Sequence, residues 1–408
     1  MSNLVSYFLP QEHIKTLTGE TRFPNASEQE VYERVTEEIM NTIGRVPHHE
    51  RIMGHFPLYL EKHYEVIKKL FCSDLSISYL WRYYIAYMAA ATHRCEYLMR
   101  LEEHFSRTIE GDWFEETEEI PQKLMSLGKA NVKLAHRPWE FSEKDVKDLL
   151  IQWNSNELVL ALTELCQFHC LSGFVFGVGV APEPDLPLVN HKEPPSPIIK
   201  TTKSKTNIAA ILKGHTEHSE TDDYISDSSE DLHGYEEDIY FSRIAGDSLC
   251  YINYPMDCIS RPFNASEFRF ADQAYFILEK MVPEFSESIW NRIRTAIAMT
   301  YDYVGQDSGI ETGPLRRAIW NYVQRVYGLQ YDDYNYTDIN RFLKINTKKY
   351  IKKIACFPET VTKQDWVNIE IDLTYDEMIH LNLIICEARF EAQLVYMLHA
   401  VQRALDLG

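Results

Sequence analysis

Apolar positions recur along most of this chain at spacings of three and four, the period of helices that turn one face inward. Val31, Val35, Ile39 and Ile43 make one such face, and Ser27 with Glu30 ahead of them predicts a capping box. A second helix is predicted after Pro57, carrying Leu60, Tyr64, Ile67 and Phe71, and a third runs unbroken from about Ser76 to Phe105. Helical patterns also follow Pro121 and the Ser142 to Asp145 cap, and another spans Glu157 to Phe174. Later in the chain the pattern predicts helices over Glu267 to Met281, Ser286 to Tyr303, Pro314 to Gly328, Thr337 to Leu343, Thr347 to Cys356 and Tyr375 to Leu405. The last opens on a capping box of Thr374 and Glu377, and a helix of roughly thirty residues extends about 45 Å, enough to be the spine of a domain. Strand signals are weak throughout, so the predicted fold class is all-α.

The pattern lapses twice. Residues 1–26 read as a loosely ordered N-terminus, and 181–240 as a disordered linker between helical domains at 27–180 and 241–408. Prolines crowd the start of that linker, and an acidic run from Glu217 to Asp238 closes it. So little apolar surface cannot offset the entropy of ordering. Ser226, Ser228 and Ser229 in the run fit acidic-directed phosphorylation. The stretch Asn25, Ala26, Ser27, Glu28 is echoed by Asn264, Ala265, Ser266, Glu267, which reads as repeated helix-start chemistry.

At 408 residues the chain is long enough for more than one core. A net charge of −20 argues against nucleic acid and anionic membranes as partners and favours proteins or small molecules. The start lacks the features of a secretory signal, and strongly apolar stretches such as Leu381 to Cys386 are too short to span a bilayer. Eight cysteines without framework spacing read as reduced thiols in an intracellular protein. Cys166, His169 and Cys170 lack a second pair for zinc, so neither a metal nor another cofactor is expected.

Two stretches carry candidate chemistry. Thr312, Gly313 and Pro314 start a helix, with Thr312 as its cap, and Arg316 and Arg317 then sit against the positive end of the helix dipole. An anion there would offset the cost, whether a bound carboxylate or phosphate or an acidic side chain elsewhere in the fold. With Thr300, Tyr301, Glu377 and His380, these residues hold the parts of a zwitterion site: a cation for a carboxylate, an anion for an ammonium. Glu377 equally fits its capping box alone, and His380 the core alone. Asp332 and Asp333, framed by Tyr331 and Tyr334, suit either solvent or a protein contact. The second stretch holds Cys95, which needs a nearby cation or base to act as a nucleophile, whereas Glu102 two turns on would raise its pKa.

The chain resembles the sestrin family. The resemblance rests on Tyr84 to Tyr87 leading to Ala89 to Cys95, on Leu134 to Trp139, on Phe174 to Gly177, on Leu315 to Tyr322, on Tyr331 to Tyr334 and on Glu387 to Arg389. It implies two all-helical halves, each similar to the alkylhydroperoxidase AhpD fold, and a stress-responsive inhibitor of TOR kinase complex signalling that binds the GATOR complex. It also implies amino-acid sensing, with Arg316 on the carboxylate of leucine, Glu377 on its ammonium, Thr300, Tyr301 and Thr312 in the lid and pocket, His380 nearby, and Asp332 and Asp333 holding GATOR. The protein would then be cytoplasmic and also nuclear, without membrane insertion. The alternative it implies is an alkyl hydroperoxide reductase using Cys95 and Tyr97, with Glu102 at the place of the family's relay histidine and His104 two further on. Leu98 stands where an AhpD-type resolving cysteine would be. Tyr303 replaces a lid threonine, Glu370 a pocket tryptophan with Trp366 close by, and Phe56 a histidine before Pro57, with His55 one place early.

Overall fold

A computed structural model describes residues 4–14, 25–110, 120–186, 208–213 and 263–406. The first half comprises α1 (Ala26–Ile43), α2 (His48–Met53), α3 (Pro57–Cys72), α4 (Tyr79–Thr92), α5 (Glu96–Glu110), α6 (Gln122–Ser126), α7 (Gly128–His136), α8 (Glu143–Leu149) and α9 (Ser155–Gly177). After the short α10 (Ile208–Leu212) come α11 (Tyr275–Met281), α12 (Pro283–Ala298), α13 (Gly313–Val326), α14 (Thr337–Phe342), α15 (Ile345–Cys356), α16 (Lys363–Val367) and α17 (Tyr375–Ala404). Sheet among the described residues is confined to two-residue strands: β1 (Phe263–Asn264) beside β4 (Leu329–Gln330), and the hairpin of β2 (Tyr303–Val304) and β3 (Asp307–Ser308). The all-α expectation holds.

Several boundaries moved, each for a local reason. Asn25 rather than Ser27 caps α1, its side chain accepting the Ser27 N–H, and Asn264 accepts the Ser266 N–H in the same way. The expected third helix is two: Arg94 adopts φ +52, and the Cys95 N–H turns back to the Ala90 carbonyl. The helix expected to reach Tyr303 ends at Ala298, leaving Thr300 and Tyr301 in a loop ahead of β2. The short α2 lacked the length to show a period. Part of the expected loose N-terminus is packed: Val5, Phe8 and Leu9 are buried, and Ser6 donates to the Val178 carbonyl. Gly179 permits this at φ +59, since a Cβ there would meet the Phe8 ring at 2.6 Å. Most of the linker, including Ser226, Ser228 and Ser229, lies outside the described residues; Ile208 to Leu212 within it form α10, where the Ile211 carbonyl accepts from Arg341.

The two halves repeat a motif that the sequence echo only hinted at. In the first, Pro138–Glu140 forms a 3₁₀ turn, Asp145 accepts from the Ser142 backbone and hydroxyl, and Lys133 clamps Asp145 at 2.7 Å. In the second, Pro358–Thr360, Thr362, Asp365 and Lys353 do the same, with Lys353 at 2.8 Å. Each motif leads to the long helix of its half, α9 or α17, and these two pack against one another at the centre. Among the described residues one helix, α9, is long and apolar enough to cross a bilayer, contrary to the expectation that no stretch would be; its apolar stretch is buried inside the fold.

A polar network ties the halves together within that shared core. Arg292 of α12 contacts Glu387 of α17 at 2.8 Å and donates to Gln167 of α9 at 2.5 Å, while Tyr59 of α3 donates to Glu387 at 2.6 Å. All four side chains are buried, so each ionised group relies on the others rather than on water.

Candidate functional site

Local folding gathers the expected clamp residues at the start of α17 and α13. Thr374 and Glu377 form the predicted capping box, and the Glu377 carboxylate also accepts the Gly305 N–H at 2.9 Å. Gly305 joins β2 to β3 at φ +58, where a Cβ would stand 2.5 Å from the Asp372 carbonyl. Glu377 therefore holds the hairpin over the end of α17. Burial pushes its carboxyl up, and the backbone donors at Thr374 and Gly305 oppose that shift.

Tyr301 lies beneath the hairpin, its phenol 3.0 Å from His380 Nδ1 and its ring stacked on Tyr303 at 4.7 Å. Burial pushes this phenol well up; Glu377 adds to the rise and Arg316 opposes it, so both clamp charges are felt at one side chain. Burial, with Arg316 beside it, lowers His380 to about 3 and leaves the imidazole neutral. Phe56 also packs on His380 at 5.3 Å, and His55 next to it lies 2.5 Å from Asp376. The first half thus closes one wall of this site.

Arg316 has an internal use. Its guanidinium donates to the carbonyls of Ile297 and Met299, the negative end of α12, while Nε is buried without a partner. Thr312 does not cap α13 with its hydroxyl, which donates instead to the Tyr301 carbonyl at 3.3 Å. Thr300 is exposed. Glu370 accepts the Asn346 N–H at 2.9 Å, satisfying an otherwise free donor at the start of α15. Trp366 packs on Phe8 and Tyr350.

Asp332 and Asp333 are exposed just beyond β4, at the far end of α13 from Arg316. The Asp332 N–H donates to Ser266, and Asp333 meets Arg269 at 3.0 Å. Arg269 also lies over the Tyr331 ring at 5.7 Å, and Tyr336 accepts the Tyr331 N–H. The acidic pair is thereby presented from a fixed aromatic base.

Cys95, Tyr97 and Glu102 face different partners. Cys95 starts α5, where a helix dipole would favour a thiolate, yet burial wins and pushes the thiol up to about 12. Tyr97 donates to Glu183 at 2.9 Å and lies 3.1 Å from His49 Nδ1. Glu102 is buried beside Glu50, and burial raises both carboxyls to about 8. His104 is 3.1 Å from Arg45. The six cysteines among the described residues are free thiols; Cys250 and Cys258 lie outside them.

Sequence reading passed over one cluster: His49, Glu50 and His63 are buried with their ligating atoms within 4.8 Å of one another. The signal was the run His48, His49, Glu50 with His63 beyond it, but His49 and Glu50 sit on the short helix that periodicity missed.

Comparison with known proteins bears on the whole chain. A family profile described as PA26 p53-induced protein (sestrin) matches residues 6–238 and 248–405. The chain is 31% identical to Sestrin-2 of Homo sapiens over 410 residues, covering 90% of this chain and 85% of that protein. It is 29% identical to Sestrin-1 of Xenopus laevis, covering 98% and 91%, and 27% identical to a sestrin homolog of Dictyostelium discoideum, covering 97% and 77%.

Proposed function

Since the chain belongs to the sestrin family, we propose that it is a stress-responsive negative regulator of TOR kinase complex signalling, acting by binding the GATOR complex and answering to a free amino acid. What supports this reading is that Arg316 lies in the first turn of α13 while Asp332 and Asp333 follow β4 beyond its other end. A ligand carboxylate would take over donors that Arg316 now gives to the end of α12. A ligand ammonium would compete with the Gly305 N–H for Glu377 and so loosen the hairpin. Each exchange replaces a neutral partner with a charged one, which is how a ligand bound only by the native state would shift the balance of conformations. The stacked Tyr301 and Tyr303 rings supply an apolar wall for the ligand's side chain.

Two measurements test the reading. Replacing Asp332 and Asp333 with alanine should abolish capture of purified GATOR without lowering the melting temperature, because both side chains are exposed. Undiminished capture would overturn the assignment. Titration with leucine, methionine, isoleucine and phenylalanine should raise the melting temperature by a few degrees at saturating leucine, and an Arg316→Ala variant should lose the shift. Flat curves for all four amino acids would remove the sensing step and leave partner binding alone.

Hydroperoxide reduction through Cys95 has less support. Burial pushes the Cys95 thiol up to about 12, which leaves almost no thiolate at neutral pH, and the Tyr97 hydroxyl donates to Glu183 instead.

A further inference from the structure

We propose that His49, Glu50 and His63 form a binding site for a divalent first-row transition ion of the zinc type, with Glu102 as a further oxygen donor. Two imidazoles and a carboxylate make a nitrogen- and oxygen-rich set that suits such an ion and is poor for magnesium or calcium. The three ligating groups approach within 4.8 Å, so side-chain rotation without movement of the helices brings them to the separations an ion requires. His63 Nε2, Glu50 Oε2 and Glu102 Oε2 are buried and accept or donate no hydrogen bond. Buried polar atoms left this way are costly, and a shared cation satisfies several of them at once.

The surroundings fit the same purpose. His49 Nδ1 lies 3.1 Å from the Tyr97 hydroxyl, which donates to Glu183 at 2.9 Å. A relay of this kind keeps the proton on Nδ1 and leaves Nε2 as the free ligand nitrogen, the usual arrangement behind a metal-bound histidine. A recess of about 490 Å³, counting its opening to solvent, reaches from Lys68 and Cys72 at the surface to His49, Glu50 and Glu102, which supplies an entry path. Arg292, a cation felt at His63, is paired with Glu387 at 2.8 Å, which offsets part of its charge. α2 and α3 supply all three ligands, and a bound ion would fasten these neighbouring helices across the turn at His55 and Phe56.

The test uses the full-length protein stripped with a chelator and then titrated with cobalt(II) and zinc(II) alone. Cobalt should give visible d–d bands without a thiolate charge-transfer band. Zinc should bind at about one ion per chain by calorimetry and raise the melting temperature. His63→Gln and Glu50→Gln should each weaken binding at least about 100-fold, whereas His104→Gln, outside the cluster, should leave it unchanged. Absence of saturable binding, a thiolate band, or full binding by both cluster variants would overturn the assignment. Should His63→Gln fail to fold, the near-isosteric Glu50→Gln variant and the wild-type cobalt spectrum decide the matter.

Discussion

Replacing Glu387 with alanine should destabilise the folded chain by about 3–5 kcal/mol, read from the urea midpoint, the range for breaking a buried ion pair from one side. Arg292 would keep its charge at 1% exposure with only Gln167 and the face of Phe390 against it, and the Tyr59 hydroxyl would lose its acceptor. The double change Arg292→Met, Glu387→Leu removes both charges and should cost far less than Glu387→Ala. If the single and double variants are equally unstable, the penalty comes from lost packing rather than the stranded guanidinium. Because the network takes one side chain from each of α3, α9, α12 and α17, the loss should appear as one transition for both halves, with far-ultraviolet ellipticity and tryptophan fluorescence coincident.

Raising the pH from about 6.5 to about 8 should destabilise the metal-free protein, measured in the presence of a chelator. Burial raises Glu50 and Glu102 to about 8 from an ordinary value of 4.5. Their protonated forms are therefore favoured in the folded state. That contribution is complete below the unfolded pKa and disappears as pH rises through the folded one. The slope approaches about 1.4 kcal/mol per pH unit for each carboxyl that is protonated only when folded. The buried histidines act in the opposite sense but below this window: His49, His136 and His380 are lowered to about 3, so their stability is lost only as pH falls under about 6.5. Glu50→Gln with Glu102→Gln should flatten the decline and leave the protein more stable than wild type at pH 8. An unchanged slope in that variant would show that other groups set it.

What was legible in the sequence follows from the range over which each signal acts. Capping at Thr374 and Glu377, the helix after Pro57 and the start of α13 depend on neighbours within a turn or two, and these were read closely. The break between α4 and α5 was not, because Ala89 to Tyr97 continues the helical composition and only the reversal at Arg94 interrupts it. Ser27 and Glu30 carry a capping-box pattern that masks Asn25, two residues earlier, which is the cap of α1. The clamp residues could be assembled only by resemblance, since Arg316 and Glu377 lie on different helices. Their internal uses, with Arg316 on the end of α12 and Glu377 on Gly305, depend on contacts that no spacing encodes. Glu370 stands where the resemblance puts a pocket tryptophan, and its partner, a backbone N–H at the start of α15, is likewise invisible to spacing.

The burial of α9 has a consequence for how the protein is made. This helix leaves the ribosome well before α17, the helix that packs along it. Until α17 emerges, the face of α9 that packs on it stays uncovered, while α4 and α7 of the same half cover other faces. The first half therefore cannot close its core during translation in its final form. A chain lacking α17 would leave that face of α9 exposed and should be prone to aggregate.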